Sequence, residues 1–478
     1  MGDRVYFVYL FFLVSLVAIV PVVRVIWLGA ISTQGLALLG SPSAPLVAQL
    51  CAVALWCAAL LVGRNRGPAV LSPFLTYALG TSALSRRRAF AAPVVRAGLT
   101  VTLVTGVIAA VIAVSLLAGG AVTETDVAVS AVAGLGIGAI AAVAWLCGQA
   151  LPRLVAILVP AMIVLAALTV VLPALAPFTP WGWVALAYPV SGSSVIAAIS
   201  LGVLAALTVV TVPWLLDRLD HSVLTAQAAR WATAATHAGS MDLSTAASTY
   251  TTLPSIGRRL RAIRPGAGLW LTFLRRSAVG AVRTPGRLAG GVVGLSLGGV
   301  LIAGAFLPSG SPWMLGAAAG LVVFMAVGPL TDGVRHVAHV ASDLPLYGVS
   351  DSRLLAMHAV LPVLIGAIIP TASAVIVAFV TGTGMEGVPL AALLGALAVL
   401  GRVSNALKGP MPPELLTPIP TPMGDLAALV RLVWALDGAL IAALCGVGAA
   451  QVYSSPWTLL VVAAILIGIG LSRWRRRR

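Results

Sequence analysis

The sequence predicts an all-α polytopic membrane protein with about twelve transmembrane helices in two tandem six-helix halves, and three observations carry that prediction. The chain is 60% hydrophobic and 9% charged, with a mean hydropathy of +1.07. So few polar residues could not cover the surface of a soluble fold of 478 residues. The apolar residues gather into runs near the roughly 20 residues that a helix needs to cross about 30 Å of hydrocarbon. One long polar run, Asp217–Arg287, divides those runs six and six.

In the first half, spans are expected over 5–23, 44–62, 97–119, 127–147, 154–172 and 194–216. In the second they are expected over 288–307, 313–330, 354–380, 389–403, 426–448 and 457–472. The domains are therefore a first half (1–216), a linker (217–287) and a second half (288–478). The run 5–23 is followed by no A-x-A cleavage site and reads as a span rather than a removable signal peptide.

Charge sets the expected orientation. The linker holds ten arginines (Arg218, Arg230, Arg258, Arg259, Arg261, Arg264, Arg275, Arg276, Arg283, Arg287) against Asp217, Asp220 and Asp242. Arginine-rich loops resist translocation, so the linker belongs in the cytoplasm, and both termini with it. The inner connections then carry Arg64, Arg66, Arg86, Arg87, Arg88, Arg96, Arg153, Arg335, Arg353, Arg402, Lys408 and the tail from Arg473. The outer ones carry Arg24, Glu124, Asp126 and Glu386, with Trp181, Trp183, Trp313 and Trp457 near outer ends as interfacial anchors. The net charge of +16 thus reports bilayer orientation and lipid contact rather than nucleic acid. One lysine against 28 arginines, with abundant Ala, Val and Gly, suggests a GC-rich bacterial genome and hence a bacterial inner membrane. Cys51, Cys57, Cys147 and Cys445 all fall in apolar runs without metal spacing and read as small packing residues.

The halves look like tandem copies. Each has a cytoplasmic connection of more than twenty residues between its second and third spans. One reads Gly67-Pro68 … Pro73 … Tyr77 … Ser85-Arg86-Arg87-Arg88, the other Gly328-Pro329 … Pro345 … Tyr347 … Ser352-Arg353. An even number of spans per half makes the repeats parallel, about an axis along the membrane normal. The linker reads as a helix from Asp217 to Gly239, a break at Thr251–Pro254, and an amphipathic basic helix over Trp270–Arg287 lying along the inner leaflet.

These features resemble the membrane subunits of the type 2 family of ABC exporters. The resemblance covers nearly the whole length: the six-span unit, the interfacial helix before the second unit, and the Leu-Pro … Ser-Arg segment after the second span. It implies that Pro73, Tyr77, Ser85, Arg86, Arg87 and Arg88, and likewise Pro345, Tyr347, Ser352 and Arg353, form coupling helices that dock on an ATP-binding cassette ATPase. The bland reading is of basic loops obeying the orientation rule. The first half departs from the family in starting at its span: either the interfacial helix before Val5 is missing or the start is short. The chain holds no G-x-x-x-x-G-K-[ST] loop and is not expected to be an enzyme or to carry a cofactor. ATP and Mg would then belong to a separate partner subunit in two copies.

Asp437 lies within the eleventh expected span. An acid there is a candidate for substrate charge or a proton, or it pairs with a neighbouring arginine as structural glue. Asp332, His336, His339 and Asp343 share one helix face at a spacing that could hold a divalent metal, though a solvated helix end fits better. No Ser-His-Asp pattern occurs, and Glu124 and Asp126 are the nearest approach to paired carboxylates. The function expected is an ATP-driven export permease for an apolar or amphipathic substrate. Its rivals are a proton-coupled transporter of the major facilitator type, with Asp437 as the proton site, and a non-transporting scaffold. The connection between second and third spans, over thirty residues long and without a Gly-x-x-x-Asp-Arg core, counts against the facilitator type.

Overall fold

The computed structural model describes Tyr9 and residues 20–192, 194–250, 256–257, 259–263, 268–307, 311–341, 348–382, 384–409, 411–417, 420–421 and 424–477. Eleven of the described helices are long and apolar enough to cross a membrane, so the protein is an all-α polytopic membrane protein. The expected first span, 5–23, lies almost entirely outside the described residues. The chain forms two compact units, Met1–Thr236 and His237–Arg478.

In the first unit, short helices α1 (Val20–Ala30) and α2 (Thr33–Leu39) precede the spans α3 (Ala44–Asn65), α5 (Arg86–Ala118), α6 (Glu124–Ala150) and α7 (Pro152–Val171). Between α3 and α5 sits the short α4 (Pro73–Thr81). The last span is α9 (Val195–Val210) continued as α10 (Val212–Asp217), broken at Thr211 beside Pro213. Before it lies α8 (Pro180–Leu186), and after it comes the linker helix α11 (His221–Gly239). The expected linker helix thus starts at His221 rather than Asp217. The ends have chemical causes. Pro152 begins α7, where its missing N–H costs nothing, and Thr123 with Asp126 forms a capping box at the start of α6.

Helix α6 is the centre of this unit, packed on α3, α5 and α9. The approach is close because glycines face it: a Cβ on Gly63 would strike the Trp145 carbonyl, and one on Gly148 the Leu60 carbonyl. Between helices in lipid there is no hydrophobic drive, so such backbone contact supplies the van der Waals attraction that holds them. A leucine at Gly148 would force α3 and α6 apart. Trp181 does not act as an interfacial anchor, in contrast to the expectation. It is buried, donating from Nε1 to the Thr169 hydroxyl at 3.0 Å, which also accepts from buried Gln49 at 3.0 Å.

The second unit starts with α12 (Leu243–Ser248) and the amphipathic α13 (Leu269–Val282). Its spans are α14 (Pro285–Gly304), α15 (Pro312–Val327), α17 (Asp351–Thr381), α18 (Gly387–Ala406), α19 (Leu426–Ala450) and α20 (Pro456–Arg477). A tight turn Gly328–Leu330 leads from α15 into α16 (Asp332–Val340). The interfacial helix expected over Trp270–Arg287 therefore divides: Arg283–Thr284 breaks it, and Arg287 falls in the first turn of α14. A two-residue antiparallel pairing, Pro420 with Asp425 and Thr421 with Gly424, makes the only strands among the described residues.

The core of this unit, around Leu295, Ile302, Val323, Leu394 and Leu466, is again held by small residues. Gly316 and Gly320, one turn apart on α15, lie directly on the Gly446 and Ala442 carbonyls of α19. Gly395 of α18 lies on the Gly366 carbonyl of α17 in the same way. Gly382, at φ +66°, ends α17 in the left-handed conformation that a residue with a Cβ rarely takes.

Candidate functional site

The antiparallel run of spans in the first unit brings the end of α3, the start of α5, the α6–α7 junction and the end of α10 to one end of the bundle. That end carries Arg64, Arg66, Arg86, Arg87, Arg88, Arg153 and Arg218. The helix α4 sits here, outside the spanning helices. Pro73 starts it after Ser72, and Thr76 is its one buried side chain, accepting from the Leu71 N–H at 3.3 Å. Leu79 packs toward the core, but much of the other apolar surface is turned outward: Phe74 is 78% exposed and Tyr77 58%, with Leu75, and Leu84 just after the helix, also open. One edge of the Tyr77 ring meets His221 of α11, centroids 5.7 Å apart.

Ser85 precedes the first turn of α5, which holds Arg86, Arg87 and Arg88. Arg87 is pinned to Asp217, donating from Nε to Oδ2 at 2.7 Å, whereas Arg88 points into the open. The structure thus brings Pro73, Tyr77 and Ser85–Arg88 to one end of one unit. Phe74, more exposed than Tyr77, was missed by the sequence reading. The signal was available, because a Pro-Phe-Leu run in a connection is out of place unless something covers it.

Beneath α4 lies a buried amide clamp that sequence reasoning also missed. The Gln227 Oε1 of α11 accepts from the Gly67 N–H at 3.1 Å and from Gln149 Nε2 at 2.9 Å. Its Nε2 donates to the carbonyls of Gly63 and Arg64 at 3.2 and 3.1 Å. Gln149 Oε1 accepts from the Ala69 N–H at 3.1 Å, and Trp145 Nε1 donates to the Arg66 carbonyl at 2.7 Å. Every polar atom of both glutamines is satisfied, which is what allows them to be buried. Arg66 stacks on Trp231, 3.2 Å from its ring centre. The linker helix is therefore part of the first unit's fold.

In the second unit, Ser352 and Arg353 lie exposed in the first turn of α17 after Ser350. Pro345 and Tyr347 lie outside the described residues. Arg402, near the end of α18, stacks 4.0 Å over Phe324 and donates to the carbonyls of Phe324 and Met325 at 2.7 and 3.3 Å. It helps close the end of α15, where the Met325 carbonyl also accepts from the Gly328 N–H. His358, which no sequence argument distinguished, is buried under α13, with Nδ1 3.3 Å from the Ser277 hydroxyl and its ring edge-on to Phe273.

Asp437 is held by two cations. Lys408 Nζ lies 2.8 Å from Oδ1, and Arg473 binds Oδ2 while donating to the Ser404 carbonyl at 3.1 Å. Lys408 also stacks on Trp434 and donates to its carbonyl. Burial pushes the Lys408 ammonium down from its ordinary value, and the bond to Asp437 opposes that. The partners come from just past the end of α18 and from the last turns of α20, whereas Asp437 is the twelfth of the 25 residues of α19. Pairing with a neighbouring arginine is thus the arrangement found for Asp437.

The proposed metal face is divided. Asp332 is taken by Arg287 through a two-point pair at 2.7 and 3.2 Å, and Asp343 lies outside the described residues. Among the described residues no group of three or more His, Cys, Asp or Glu could hold a metal ion.

The fold and this end of the bundle define a polytopic α-helical membrane protein with an exposed apolar helix beside a cluster of arginines. No family model, curated protein or solved structure matches the chain.

Proposed function

We propose that the protein is the permease subunit of an ATP-driven exporter for an apolar or amphipathic substrate, powered by a separate ABC ATPase that binds in two copies. The observation that carries this reading is α4: a short helix outside the spans with Phe74 and Tyr77 turned outward. An exposed apolar patch bordered by charge is the surface a partner protein covers. Arg86 and Arg88 beside it would meet acidic groups of that partner, and Ser352 and Arg353 would serve the second unit in the same way. ATP and Mg2+ would sit on the partner, whose closure would draw the coupling segments together and rock the helices between two facings.

The membrane is then a bacterial inner membrane, with the arginine-bearing ends and both termini in the cytoplasm. An apolar cavity of about 320 Å3 in the first unit, lined by Trp56, Leu60, Met162 and Trp214, fits an apolar cargo. A proton-coupled mechanism has less support, because Asp437 is already neutralised by Lys408 and Arg473.

The test is purification in gentle detergent from the membranes of the producing cell. An ATPase in stoichiometric amount, with hydrolysis stimulated by reconstitution into vesicles, is the expected result. A chain that purifies alone and supports no ATP-dependent movement of amphipathic probes would refute the reading.

A further inference from the structure

A basic pocket of about 530 Å3 opens in the second unit where α13, the first turn of α14, the Gly328–Leu330 turn, α16 and α17 meet. Its charged lining is Arg276, Arg287 and Arg335, against a single acid, Asp332. That acid is already engaged by Arg287 at 2.7 and 3.2 Å. Arg276 and Arg335 are left on the cavity wall with no ion-pair partner among the described residues. The remaining wall combines small and apolar residues such as Ala281 and Leu330 with the hydroxyl residues Ser277 and Thr284 and the imidazoles of His336 and His358.

Two uncompensated guanidinium groups in one cavity repel each other and attract an anion, and their planar forks match the oxygens of a phosphate. The position adds to this. The pocket lies between the amphipathic α13 and the end of α15, where the spans α14, α15 and α17 begin or end. Basic pockets between membrane helices suit phosphate headgroups.

We propose that this pocket binds a phosphate group, carried either by an anionic phospholipid or by a free phosphate. The site does not depend on the exporter reading, since no ATPase takes part in it.

The experiment uses the purified full chain, delipidated and placed in nanodiscs of phosphatidylcholine alone or of phosphatidylcholine with phosphatidylglycerol. Thermal unfolding is followed in each, and in phosphatidylcholine discs with added inorganic phosphate against sodium chloride at equal ionic strength. A rise in unfolding temperature with phosphatidylglycerol alone identifies the lipid headgroup, and a rise with inorganic phosphate identifies the free ion. Either rise should need at least ten times more ligand in R276Q/R335Q and remain in R153Q, whose arginine lies in the other unit. Among the described residues the double variant breaks no native ion pair, and R276K/R335K, which keeps both charges, should retain most of the shift. No rise with either probe, or a rise undiminished in R276Q/R335Q, would overturn the proposal.

Discussion

The chain after the second span is closed in two ways, and the comparison separates the units. In the first unit the end of α3 is sealed by neutral amides, Gln149 from α6 and Gln227 from the linker. In the second, the end of α15 is sealed by one arginine, Arg402 of α18, stacked on Phe324. Both address the same problem, the carbonyls that a helix end leaves short of backbone donors. The amide solution borrows a residue from outside the spans, so the first junction is tied to the linker. The arginine solution needs nothing beyond the span bundle. The segments beyond the two junctions differ as well: α4 turns Phe74 and Tyr77 outward, whereas the second unit has α13 packed close by, through His358.

Substitutions can break this contrast at either end. The largest effect is expected for Gln227→Leu, which strands the Gly67 N–H, the Gly63 and Arg64 carbonyls and the Gln149 amide. At about 1–3 kcal/mol per unsatisfied buried group, partly relieved by water, the first unit should lose about 4 kcal/mol. Denaturant unfolding would measure it, and early proteolysis within α11 would show that the linker has come away. Arg402→Gln should cost about 2–3 kcal/mol, since two charge-assisted bonds are lost but the buried charge goes with them. Its loss should leave α11 as protected as before; if both variants free the linker equally, the two junctions are not independent. Asp437→Asn should cost about 1–2 kcal/mol, because Lys408 and Arg473 keep their bonds to the Trp434 and Ser404 carbonyls and have long stems that can carry their charges toward the helix ends. Transport by the proposed exporter should persist in that variant, and its loss would return Asp437 to the candidates for binding substrate charge or a proton. Arg87→Gln should be smallest. Its pair with Asp217 is exposed, so the unfolding temperature should not move measurably.

Much of the fold was legible in the sequence because lipid leaves few choices. An apolar run of about 20 residues must be a helix if its backbone is to be satisfied. The limits were less legible. α5 begins at Arg86 rather than near 97, because a basic turn can extend a helix past the hydrocarbon without changing the hydropathy of its core. The interfacial helix was expected to reach Arg287, but Pro285 instead starts the next span. At the sites, long-range pairing defeated local reading. Lys408 and Arg473 were counted as orientation charges, and nothing nearby in sequence marks them as partners of Asp437. Gln149 and Gln227 carry no charge and lie 78 residues apart, so their clamp had no local signal at all. Trp181 had the right residue type for an interfacial anchor and the wrong surroundings.

Docking of an ATPase on the outward face of α4 is the step on which the proposed function rests. The most direct measurement compares the amount of ATPase bound, and its hydrolysis rate, for the wild-type complex and for Phe74→Glu/Tyr77→Glu. Both side chains are exposed, so unfolding temperature should be unchanged while bound ATPase falls at least tenfold. A variant that keeps its full complement of ATPase and full turnover would contradict that role and return α4 to the lipid interface.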